Sequence, residues 1–109
     1  IIGHGRAAEL LYTGRVMPGD EAHRCGFLNR LCEPGELQEE AQELAREMAR
    51  GPITAHRATK RQLLREWDMG VIDAVRMEAD VQSELMETRD FRRAYEAFAK
   101  RETPRFEGD

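Results

Sequence analysis

Serine occurs once in these 109 residues, at Ser83, and no G-x-S-x-G turn surrounds it. The strand-to-helix elbow that presents a hydrolase serine is therefore missing. Cysteine occurs twice, at Cys25 and Cys32, and the three histidines, His4, His23 and His56, are scattered. Zinc sites declare themselves through clustered pairs such as C-x₂₋₄-C, so no metal is expected. The two thiols read as reduced, partly buried groups of a cytoplasmic protein. His23 stands two residues before Cys25, and only an accident of folding would make them a nucleophile pair. A basic excess is lacking too: 17 Lys and Arg face 21 Asp and Glu, for a net charge of -4, which argues against a nucleic-acid binder. No apolar run approaches the roughly 20 residues of a membrane span. The opening Ile1-Ile2-Gly3-His4-Gly5-Arg6 lacks the charged-then-apolar order of a secretion signal. It also lacks an initiating methionine, which fits a processed chain or a piece of a longer one.

What is present is mainly helical periodicity. Between Glu36 and Arg50, Leu37, Ala41, Leu44, Ala45 and Met48 form one apolar stripe. Glu36, Glu39, Glu40 and Glu43 sit at its start and Arg46 and Arg50 at its end, as the helix dipole favours. Gly51 is expected as a left-handed cap, and Pro52 suits the first turn of the next helix. That helix, to Trp67, carries Ile53, Leu63 and Leu64, with Arg57, Lys60, Arg61 and Arg65 as a basic stripe. Asp68 and Gly70 break it. Val71, Val75, Ala79, Gln82 and Met86 make a third stripe. A last helix begins near Thr88 to Asp90, with Phe91, Tyr95 and Phe98 along one side; Pro104 is expected to end it, and Glu107-Gly108-Asp109 to fray. Earlier in the chain, one short helix ends at Thr13-Gly14. A second opens at Pro18-Gly19-Asp20 and stops at Gly26. Phe27 to Cys32 is the one strand candidate, and a lone strand needs partners from elsewhere.

Few residues carry recognisable chemistry. Gly3 and Gly5 give a G-x-G without a third glycine or a preceding strand, which is no phosphate loop. Glu78, in the middle of the third stripe, is the carboxylate best placed for acid or base work, although a solvated helical glutamate is the ordinary reading. The stripe Arg57, Lys60, Arg61, Arg65 is either a solvated face or a contact for a phosphorylated ligand, the first being favoured. Lys100, Arg101 and Arg105 follow the aromatic stripe; rings beside cations suit a ligand that is part ring and part phosphate, but core aromatics with a solvated helix end are the favoured reading.

Four segments, in order, resemble one family. Gly3-His4-Gly5-Arg6-Ala7-Ala8-Glu9-Leu10-Leu11-Tyr12-Thr13-Gly14 resembles the G-x-x-R-A-x-E-L-x-x-T-G segment of enoyl-CoA hydratase/isomerase (crotonase) proteins. Ala22 to Leu31, with Gly26-Phe27-Leu28-Asn29, resembles the A-x-x-x-G-L-V-N-x-V stretch. Gly51-Pro52 with Thr59-Lys60 is similar to the G-P…T-K pair, and Asp90, Ala97-Phe98, Pro104 and Phe106 match D-x₆-A-F…P-x-F.

The resemblance covers essentially the whole chain but only the C-terminal part of that family's fold. It implies a mainly α region of about six helices and one short strand, belonging to a ββα-spiral fold. Residues 1–33 would end the spiral core, and 34–109 would form the helical region that caps the acyl pocket and builds the oligomer. It implies an enzyme of acyl-CoA thioesters, most simply a hydratase of 2-enoyl-CoA. Isomerisation is the sibling reaction, and a non-catalytic helical interaction module is the alternative from another class. The family's oxyanion hole and acidic catalysts match no position here, so no catalytic residue is assigned in this chain. Phe98 and Arg101 are the acyl-CoA-pocket candidates, Arg101 standing where the family often has lysine. Coenzyme A would enter as part of the substrate, with no separate cofactor. A trimer or dimer of trimers is implied, with neither nucleic acid nor membrane as partner. Arg93-Ala94 and Glu102 depart from the family's Glu-Gly and arginine at those positions.

Overall fold

A computed structural model describes residues 1–109 as six helices: α1 (His4–Thr13), α2 (Gly19–Arg24), α3 (Leu37–Ala49), α4 (Ile53–Arg65), α5 (Val71–Met86) and α6 (Arg89–Lys100). A single 3-10 turn, Glu66–Asp68, follows α4. The chain divides into two compact units, Ile1–Ala41 and Gln42–Asp109.

In the first unit α1 ends as its sequence predicts. Gly14 takes a left-handed φ of 60° and returns its N–H to the Leu10 carbonyl. Pro18 caps α2, whose Asp20 and Glu21 sit at the positive end and whose His23 and Arg24 sit at the negative end. Ala22 is the buried residue of this helix. The expected strand at Phe27 to Cys32 does not form. Gly26, at φ 77°, turns the backbone so that the N–H groups of Phe27 and Leu28 both bond to the Ala22 carbonyl. No extended segment runs beside these residues to complete a ladder, and without one the isolated stretch remains turn and coil.

In the second unit α4 packs on α5 and α5 on α6. The core between them is small-sided: Ala58, Val81 and Ala97 are the buried apolar residues, and Asp90 is buried with them. Gly51 is not left-handed, contrary to the expectation. Its N–H closes the end of α3 on the Met48 carbonyl, and the His56 imidazole lies over it, so that a Cβ there would displace that ring. Helix α6 stops before Pro104, at Arg101, whose φ of 58° makes it the chain's one left-handed residue other than glycine.

The amphipathic stripes are present as helices but mostly uncovered. No residue of α3 is buried, and Leu63, Leu64 and Val71 all face outward, with Trp67 81% exposed. The chain exposes 9489 Å². Two separate compact units of their lengths would expose only about 7,300 Å² together.

Candidate functional site

Helix α6 is the best-defined element of the second unit, because both its ends are specified. Thr88 caps it: the Oγ1 accepts from the Phe91 N–H at 3.1 Å and donates to the Leu85 carbonyl at 2.7 Å. At the far end, Arg101 turns the backbone left-handed and sends its N–H to the Phe98 carbonyl at 3.1 Å. Phe98 and Arg101 therefore occupy the same helix terminus. Phe98 is 83% exposed and the Arg101 guanidinium has no ion-pair partner. A free cation at a helix C-terminus also lies where the dipole favours it. This helix end thus carries an exposed aromatic ring and, three residues on, an unpaired planar fork, group types that suit a ring and a phosphate.

The opposite end of α6 is occupied by a network that sequence reasoning missed. Residues 107–109, expected to fray, are strapped down on Asp90. The Asp90 carboxylate accepts from the Glu107 N–H at 2.9 Å and the Gly108 N–H at 2.8 Å, while the Asp90 N–H donates to the Asp109 carbonyl at 3.0 Å. Arg93 adds a bond to Asp90 at 2.7 Å and to Glu107 at 2.6 Å, and it also pairs with Asp109. The Thr54 hydroxyl, in the first turn of α4, donates to the Gly108 carbonyl at 3.1 Å. Burial pushes the Asp90 carboxyl up, but the two backbone N–H groups and Arg93 outweigh it and hold it below the usual range. Arg93 is raised in turn by its bonds to Asp109 and Asp90, and Asp109 is lowered by Arg93. Under the strap lies a mostly apolar cavity of about 200 Å³, walled by Ala55, Leu85, Phe91 and Phe106. The one signal available in the sequence was the D-x₆-A-F…P-x-F pattern itself, whose first and last members, Asp90 and Phe106, meet here.

A second missed cluster lies in the first unit. Arg15 clamps α1 to α2 by reaching Glu9 at 2.8 Å and taking Glu21 with both outer nitrogens, at 2.6 and 2.9 Å. Hydrogen bonding to Arg15 holds the Glu21 carboxyl below its ordinary value, and the same bonds raise Arg15.

The remaining sequence candidates stay apart. No hydrogen bond joins His23 to Cys25, whose thiol instead donates to the Ala22 carbonyl at 3.3 Å. Glu78 is exposed on the wall of an open cavity of about 430 Å³ with Gln62 and Gln82, and no second carboxylate lines it. Arg57, Lys60, Arg61 and Arg65 are all exposed and make no ion pair, as a solvated face does. Lys100 and Arg105 are exposed. No three His, Cys, Asp or Glu side chains converge on a metal-sized space, and no helix is long and apolar enough to cross a membrane.

This array is the C-terminal helical region of a crotonase-type fold. It superposes on the crystal structure of a candidate enoyl-CoA hydratase from Streptomyces coelicolor A3(2) with a TM-score of 0.95 and 37% identity, covering 100% of this chain and 40% of that one. The sequence model described as enoyl-CoA hydratase/isomerase matches residues 1–109, and the chain belongs to that family. Among curated relatives, a Thermus thermophilus protein named as a candidate enoyl-CoA hydratase is 38% identical, over 96% of this chain and 42% of its own length. A trans-2-decenoyl-[acyl-carrier-protein] isomerase of Streptococcus mutans serotype c is 26% identical, over 98% of this chain and 41% of its own length. The chain thus spans about two fifths of the proteins it matches.

Proposed function

We propose that the chain forms the pocket-capping and subunit-joining part of a cytoplasmic enzyme that acts on acyl-CoA thioesters, most simply by adding water to a 2-enoyl-CoA. The observation that carries this reading is the open terminus of α6, where exposed Phe98 and the unpaired Arg101 stand together on a chain of the enoyl-CoA hydratase/isomerase family. Phe98 would lie against the acyl-CoA, and Arg101 would meet a phosphate of the CoA with its planar fork. Coenzyme A arrives as part of the substrate, and no further cofactor is invoked. Catalysis needs preorganised donors for the thioester oxygen and a placed carboxylate, and these would come from residues other than those of this chain. The uncovered apolar stripes of α3, α4 and α5 support a second role, contact with the rest of such an enzyme and its neighbouring subunits in a trimer or dimer of trimers.

The test is direct. Protein expressed from the complete reading frame should hydrate crotonyl-CoA, seen as loss of the enoyl-thioester absorbance. No turnover of any enoyl-CoA overturns the hydratase reading. The similarity to the Streptococcus mutans isomerase favours double-bond migration as the second reading, distinguished by a product that has gained no water. A stop codon immediately before Ile1 would instead leave a helical interaction module.

A further inference from the structure

We propose that the segment Phe106–Asp109 is a positioning strap, and that Asp90 is the latch through which it fixes the seat of α6. This deepens the reading just given, since α6 carries Phe98 and Arg101. Three observations point to it. Asp90 is 2% exposed, and every bond its carboxylate makes, apart from that to Arg93, goes to a backbone N–H of the strap. The strap is anchored on a second helix as well: the Gly108 carbonyl accepts from Thr54 on α4, and a Cβ at Gly108 would stand 2.8 Å from the Ile53 methyl. Gly108 adopts φ 86°, which a side chain would strain, so the position is fitted to glycine twice over.

The strap therefore bridges the first turns of α4 and α6. A rigid helix transmits the placement of its first turn to its last, so loosening the strap should displace Phe98 and Arg101 although neither touches it. Asp90 is thus a positioning residue and makes no contact with ligand itself.

Two substitutions attack the latch from opposite sides. Asp90→Asn replaces one acceptor oxygen with an NH₂ that must face a backbone N–H. Gly108→Ala forces a Cβ onto Ile53 and strains the backbone. Each should speed amide exchange at Glu107 and Gly108 and also at Phe98 to Arg101. Each should weaken binding of coenzyme A on the order of tenfold. Because both act through one contact, the double variant should be no worse than the weaker-binding single one. Faster exchange confined to residues 106–109, or additive effects in the double variant, would overturn the proposal. If the unsubstituted protein does not bind coenzyme A, the ligand reading fails while the exchange measurements still decide the strap.

Discussion

Arg101 joins a backbone cost to a side chain that the proposed ligand would use, and the two can be separated. At φ 58° its Cβ crowds the following carbonyl. For a residue other than glycine that conformation costs about 1–2 kcal/mol. Glycine escapes the crowding but gains freedom in the unfolded chain, which returns about 0.4–1 kcal/mol. Arg101→Gly should therefore leave the protein about 0.5–1 kcal/mol more stable than Arg101→Ala, which keeps the Cβ and loses the same guanidinium. For a unit the size of Gln42–Asp109 that difference corresponds to a Tm gap of about 2–8 °C, measurable by thermal unfolding of the two variants side by side. Binding should move the opposite way. Both variants lose a charge-assisted bond to phosphate, and at an exposed helix end about 1–2 kcal/mol is expected, or roughly 5- to 30-fold in the Kd for coenzyme A by titration calorimetry. Glycine no more stable than alanine would refute the left-handed geometry. An unchanged Kd in both would refute the phosphate contact. Together they test whether arginine serves the ligand at a position that glycine would occupy without strain.

The other predictions rest on individual contacts. Thr88→Ala removes the cap of α6 and should cost about 1 kcal/mol in denaturant unfolding, while Thr88→Ser should keep most of it. Asp90 has its folded pKa below the unfolded value of about 3.9, so its contribution is fully present above about pH 4 and is lost as pH falls through the folded pKa. Acid unfolding followed below pH 5 should accordingly be less steep for Asp90→Asn, and parallel curves would contradict the sign. Val81→Ala deletes two methyls from the α4–α5 contact and should cost about 1–2 kcal/mol by the same denaturant assay. The chain by itself should self-associate with increasing concentration in sedimentation velocity, and a stable monomer throughout would count against its role as part of a larger assembly.

Local features were the legible ones. The Gly14 stop, the Thr88 start and the break at Asp68 and Gly70 all follow from residues adjacent to the event; periodicity placed α3 to α6, and the turn residues Pro18-Gly19-Asp20 and Gly26 bounded α2. What could not be read depends on residues far apart in sequence. The strap joins Thr54, Asp90 and Gly108, and no period or cap rule connects those positions, so polar residues after a proline looked like a loose end. Gly51 had the right sequence for a left-handed cap, but its φ is not positive, and the His56 imidazole that lies over it comes from the next helix. The strand at Phe27 to Cys32 had the right composition and no partner, and pairing, unlike helix formation, is not a local property. Phe98 and Arg101 stood out in the aromatic stripe and the basic group after it, and the family motifs singled them out as a pair. Their joint exposure and the left-handed turn between helix and loop came from the structure.

The apolar stripes bear on what the chain needs from outside itself. Ordering a residue costs about 1–2 kcal/mol of backbone entropy, and only burial of apolar surface is large enough to offset that over a whole chain. Here the buried apolar residues are three alanines and one valine, whereas Leu37, Leu63, Leu64, Trp67, Ile72 and Val75 stand exposed at helical spacing. Random surface hydrophobics would not keep that period. A periodic stripe without a cover has the form of one side of an interface. The polar contacts follow the same division. Both buried or half-buried ion networks, Arg15 with Glu9 and Glu21 and Asp90 with Arg93, tie local elements to each other, while the basic stripe of α4 has no partner. The chain settles its own helix ends and turns internally and leaves its apolar faces uncovered, the distribution expected of the pocket-capping and subunit-joining role proposed above.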